Sequence, residues 1–411
     1  MPGSKPRRTL DRLALVGLAL ITAAGSSGVA VVEAHAAHPQ ALTPVTQTVL
    51  SSPRWYQADD GRFHLSYELE LTNAVPVPVT VASIEVLRGS GSRIGTPGSD
   101  RLEQSLSLLA TPSDATTVLP PSSVGIAWID LAFRRRSQIP NRVRHRLTVD
   151  IGPGLPVGPL ITDIGGGSTV AHRQAIEIGA PLRSGRWVAI VGPHRRALQP
   201  VNGSLRNGQR FAIDFSARLD ETGRTHIADP DENSSYFNYR EPVLAVSRGR
   251  VVEAVDRYPD QIPNQPTPVT GAAANGNHVI LKLSKGVFAA YAHLTAGSVR
   301  VHSGDSVREG QVIGRLGNSG GSHGPHLHFQ VMSRPSILDS DGLPFVIDRF
   351  HLNGRIPSLE AFIEPDASEP PVPPVPFDDA FRGIFRNRGL TDLDVVTFPP
   401  ASEARSRQGG G

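Results

Sequence analysis

Apolar and polar residues alternate in short runs through the first third of the chain: FHLSYELELTN (63–73), VPVTVASIEVLRG (77–89) and RVRHRLTVDIG (142–152). A period of two, punctuated by Gly, Pro and Ser, predicts antiparallel strands, and their spacing predicts a β-sandwich-like module over residues 37–151. The next stretch, GPGLPVGPLITDIGGGSTVAHRQAIEIGAPLRS (152–184), is rich in Gly and Pro. It reads as a linker over 152–186 or as edge strands, with a domain boundary inside it. Strand-like runs then resume in RFAIDFSA (210–217), EPVLAVSRGRVVEAV (241–255), NHVILKLSKGVFAAYAHL (277–294) and QVIGRLGN (311–318). They predict a second, mainly β domain over residues 187–354. From Glu364 onward EPDASEPPVPPVPFDDAF is proline-dense. Residues 355–411 therefore read as an extended tail, with packed structure no earlier than 381–396.

Composition narrows the functional classes. The formal charge is +3, from 41 basic and 38 acidic side chains. The excess is spread thinly, so no nucleic-acid partner is expected. There is no cysteine, which excludes disulfides and thiolate metal ligands and leaves His, Asp and Glu to build any metal site. The first residues run from a cationic segment (Lys5, Arg7, Arg8, Arg12) into an apolar stretch, Leu13 to Val32, and on to Ala34-His35-Ala36. That layout predicts a signal peptide over residues 1–36 and a secreted, periplasmic or cell-envelope protein. Contact with membrane is then limited to the signal segment during export. A retained anchor is the alternative, weakened by the Gly25–Gly28 interruption of an already short span.

Chemistry concentrates in SHGPHLHFQV (322–331), where three of the chain's 14 histidines fall at 323, 326 and 328. On a strand, residues two apart share a face about 7 Å apart at the backbone. His326 and His328 can thus serve one ion, one as ligand and one beside a water held on it. An HxH pair alone fits a solvent-facing strand equally well.

The surrounding order decides between these. GVFAAYAHLTAGSVRVHSGDSVREGQVIGRLGNSGGSHGPHLHFQV (286–331) resembles lysostaphin-like (LytM-type) zinc endopeptidases, in which a Y-x-H-L strand, a G-D-x-V hairpin, a G-N-S-G loop and an H-L-H-F strand follow in that order. PVLAVSRGRVVEAV (242–255) and AIDF (212–215) extend the resemblance to about residues 187–354. It implies a LytM-type β-sheet domain, akin to a barrel-sandwich hybrid, that binds Zn²⁺ and cleaves peptide bonds, with peptidoglycan as substrate. It further implies Asp214 and His328 as metal ligands, His326 as general base, and His293 as the residue that orients water or stabilises the oxyanion.

One position departs from the pattern. The family writes its first ligand four residues before the aspartate, where this chain has Arg210, and a guanidinium has no lone pair for a metal. Either another histidine reaches that point, His194 in VGPHRRALQ being the candidate and His226 a weaker one, or the domain is a degenerate relative that binds cell wall without cleaving it. Two other readings fall away. A lipoyl- or biotinyl-carrier hairpin needs a lysine, and lysine occurs only at 5, 282 and 285. A cupin would leave the YAHL and GNSGG elements unexplained.

Overall fold

The computed structural model describes residues 43–97, 102–154, 159–192, 194 and 196–399. The segment read as a signal peptide lies outside them. Strands hold 46% of the described residues and helices 8%, so the described part of the protein is mainly β.

Period-two alternation places every second side chain on one face of a strand, and in the N-terminal module those faces meet. One sheet joins Val45–Val49, Phe63–Asn73, Val124–Phe133 and Leu106–Leu108, with Arg54–Gln57 added to Phe63–Asn73. The other joins Leu160–Thr169, Arg142–Asp150, Val79–Arg88 and Arg93–Gly95, with Val118–Leu119 added to Val79–Arg88. Leu65, Tyr67, Leu69 and Leu71 from the first sheet pack against Val81, Ile84, Leu147 and Val149 from the second. Each such side chain contributes roughly 1.5–3 kcal/mol through burial.

The second half is organised on a ten-stranded sheet. Its order is Ser306–Val307, Gly249–Val255, Asn277–Ser284, Val287–Leu294, Leu327–Met332, Ile213–Leu219, Arg186–Val191, Asp394–Thr397, Phe350–Arg355 and Gly383–Phe385. Trp187, Phe215, Tyr291 and Phe329 fill the core on one side of it.

One segment resolves between its two sequence readings and another differs from its reading. Leu160–Thr169, inside the expected linker, is an edge strand paired with Arg142–Asp150, and Ile176–Ile178 pairs in parallel with Phe345–Ile347. The expected tail is also woven in. Leu359–Asp366 is a helix whose N-cap Ser358 accepts from the Ala361 N–H, Val372 and Val375 are buried, and Asp394–Thr397 pairs with both Arg186–Val191 and Phe350–Arg355. Pro365 falls in the last turn of that helix, and the prolines from 370 to 376 lie between short elements instead of interrupting a central strand.

The chain from Thr43 onward forms one compact unit. Tyr56 packs edge-on against Phe211 with ring centroids 5.6 Å apart. Arg355 bridges two buried carboxylates, Asp394 at 2.9 Å and Asp59 at 3.5 Å.

Candidate functional site

Three adjacent strands of the large sheet build the site. Asp214 stands directly opposite His328, and His328 directly opposite Ala292. Cross-strand partners on one face have Cβ atoms about 4.5–5.5 Å apart, so register alone brings Asp214 and His328 together. Leu327, Phe329 and Val331 point the other way into the core. That leaves His328 and Gln330 on the site face, with His326 just ahead of the strand.

His293 reaches the same place through a bulge. Between the pairs Asn277–Leu294 and Val279–Tyr291, two residues, Ala292 and His293, face the single His278. The extra residue is absorbed by His293 at φ 62°, a left-handed conformation that is costly for a side chain with a Cβ and tends to occur at functional sites. The bulge re-aims the imidazole. Its ring centroid lies 4.6 Å from that of His326 and 6.0 Å from that of His328.

Hydrogen bonds set the ring tautomers. The His293 Nδ1–H donates to Ser319 O at 2.8 Å and the His326 Nδ1–H to Gly324 O at 2.9 Å, which places the basic lone pair of each ring on Nε2. Burial, followed by the neighbouring His326 and His328, pushes the His293 pKa down to about 3, so this ring is neutral at pH 7. Gly317 O accepts from the His326 N–H at 3.1 Å. A Cβ at Gly317 would stand 2.2 Å from the Thr295 nitrogen, and backbone cannot yield there as a side-chain tip would. Gly317→Ala is therefore expected to cost about 2–3 kcal/mol, read as a lower urea midpoint at unchanged slope.

The donor set fits a cation at one pair. His328 Nδ1 stands 2.7 Å from Asp214 Oδ1. Two bare acceptors do not settle at that distance, so a proton lies between them here, and the same pair of lone pairs could serve a metal ion in its place. On the far side of the ring, Nε2 stands 2.9 Å from Gln330 Oε1, the arrangement that orients a ligating histidine. Asp214 and His328 would thus hold the ion.

A third donor is not brought to them: among the described residues, no three His, Asp or Glu side chains are grouped to hold an ion. His194 lies instead against the N-terminal module, with its Nδ1 2.7 Å from Glu68 Oε1 and its ring 5.6 Å from that of Trp128. His226 is buried beside Ser368 O, and His323 is exposed. Arg210 fills the departing position. It is 2% exposed and donates through both Nε and Nη2 to Glu68. Glu68 itself sits in the middle of Phe63–Asn73 with no exposed side-chain surface. Burial opposes its ionisation, yet Arg210 and His194 hold its pKa well below the usual carboxylate range. A cleft of about 220 Å³ opens beside the cluster, lined by Gln199, Gln209, Ala292, His293, Gly321 and His328.

Residues 236–340 match Peptidase family M23. The chain carries a lysostaphin-like M23 peptidase domain. The matched span contains His293, His326 and His328 and begins after Arg210 and Asp214. Lysostaphin of Staphylococcus simulans is 36% identical over 115 residues, 27% of this chain and 20% of that protein. Glycyl-glycine endopeptidase ALE-1 of Staphylococcus capitis is 35% identical over 115 residues, 27% of each chain. The chain thus spans about a quarter or less of these relatives. The solved catalytic domain of lysostaphin from Staphylococcus simulans is 25% identical, covering 38% of this chain and 88% of that one, with a TM-score of 0.22. Outside the M23 domain, sequence reasoning missed Glu68, which alternation assigns to an outward face, and inside it Gln330, whose role depends on the ring two residues earlier.

Proposed function

We propose that this chain is an exported peptidase of the cell wall, cleaving peptide bonds in peptidoglycan by metal-assisted hydrolysis. The observation that carries the reading is the clustering of Asp214, His293, His326 and His328, with His293 and His328 lining the cleft. When bound, a Zn²⁺ ion at Asp214 and His328 would act as a Lewis acid that acidifies water and polarises the scissile carbonyl. His326, with Nδ1–H given to Gly324 O, takes the water proton on Nε2 and returns it to the leaving amine. His293 is held neutral with Nδ1–H given to Ser319 O. Its Nε2 is then an acceptor, which suits it to orienting the attacking water better than to donating to an oxyanion. Gly321 at the cleft edge lets an extended substrate approach the backbone. A relative named peptidoglycan DD-endopeptidase ShyC, from Vibrio cholerae and 40% identical over 58 residues, supports a peptidoglycan substrate, and the N-terminal layout of residues 1–36 supports export.

One observation favours a second reading, a binding or regulatory protein that keeps the cleft without turnover: a guanidinium, paired to Glu68, occupies the position of the family's first ligand. Purified peptidoglycan separates the two. Release of peptide fragments that stops with a chelator and returns with added zinc supports the peptidase. Retention of the protein on the wall polymer with no fragments released supports the binder.

A further inference from the structure

Residues 196–214 form an arm between the two halves of the molecule. Leu198 and Leu205 pack with Ile126 and Trp128 of the sandwich, while Gln199 and Gln209 line the cleft beside His293 and His328. Apolar contact alone would dock this arm. Glu68 is an expensive addition, because a buried carboxylate costs several kcal/mol unless it is fully paired. Among the described residues its partners all come from one side: His194 Nδ1 at 2.7 Å, Asn207 Nδ2 at 2.9 Å, Arg210 Nε at 3.0 Å, and Arg210 Nη2.

Those donors lead directly to the site. Asn207 O accepts from Arg210 N at 3.3 Å and from Gly342 N at 2.9 Å. The chain then turns at Phe211, φ 65°, closes with Ala212 N donating to Gln209 O at 3.0 Å, and enters Ile213–Leu219, which carries Asp214. Only three residues separate Arg210 from Asp214, so a shift at the guanidinium has little chain in which to dissipate.

We propose that Glu68 is a positioning residue for the cleft: through Asn207 and Arg210 it fixes the arm that delivers Asp214 and forms one cleft wall, which makes the sandwich a working half of the site. The activity arm of the test rests on the peptidase reading; the exchange arm does not.

The test uses the full chain with Glu68→Gln, Glu68→Gln/Arg210→Gln and Glu68→Asp, and with Glu70→Gln as a control on the same strand. Glu68→Gln strands a buried guanidinium and is expected to melt lower. The double variant removes that charge and should regain most of the lost melting temperature. If Glu68 served stability alone, activity and amide protection would return with it. Positioning predicts otherwise: amides of 207–214 exchange at least about tenfold faster than in the unmodified chain, and peptidoglycan turnover stays down by about tenfold or more with KM little changed. Glu68→Asp keeps the charge but withdraws it by one methylene, so it should show the same faster exchange near the normal melting temperature. Unchanged protection at 207–214 in a folded double variant or in Glu68→Asp overturns the proposal. Absence of cleavage by the unmodified chain would remove the peptidase reading and leave the exchange result to decide this one.

Discussion

His326→Ala is expected to lower peptidoglycan cleavage by about 10²–10⁴-fold, the range a positioned general base contributes, with little loss of stability. The ring is half-buried, and its Nδ1–H is tied to a loop carbonyl, Gly324 O. Metal affinity should remain, because Asp214 and His328 make their contact without it. A variant that loses turnover yet still takes up zinc places His326 in proton transfer. One that loses both places it among the ligands, against the account. Initial rates on purified peptidoglycan, paired with metal analysis of the same samples, give the answer.

Asp214→Asn is the second large effect. The substitution preserves shape and keeps an oxygen near His328 Nδ1, but removes the negative charge that makes a shared cation favourable in a partly buried site. Zinc retention should disappear, and turnover should fall by about 10³-fold or more as the Lewis acid is lost. Thermal stability should change by no more than about 1 kcal/mol, since the amide can still hydrogen-bond the ring. Parallel metal analysis, cleavage rates and melting curves on purified Asp214→Asn check all three.

Much of this was legible in the sequence, for a physical reason that varies by residue. Strand alternation exposed the sandwich and the large sheet because each strand buries one face. It also placed His326 and His328 on one face, as their spacing of two demands. His293 is a partial case. YAHL names it, but the bulge opposite His278 and the φ of 62° that aim it depend on pairing with another strand, which no local pattern records. Glu68 was not legible at all. In FHLSYELELTN it falls on the polar side, and nothing nearby signals that it is met there by His194, Asn207 and Arg210, more than a hundred positions later. The same long-range packing explains His194, whose candidacy as a ligand rested on the need to replace Arg210 at the first-ligand position. Folding gives its Nδ1 to Glu68 instead. Proline content hid the helix Leu359–Asp366 and the buried Val372 and Val375, whereas Gly383–Phe385 and Asp394–Thr397 fall about where packed structure was expected.

The central claim is that Asp214 and His328 seat one divalent ion beside the His326 base. Calorimetric titration of zinc into the chelator-stripped, folded full-length chain tests it most directly. The account predicts one ion bound per chain in the unmodified protein and none in His328→Ala at a similar melting temperature. A folded, unmodified chain that takes up no zinc, or a His328→Ala chain that binds it equally well, would contradict it.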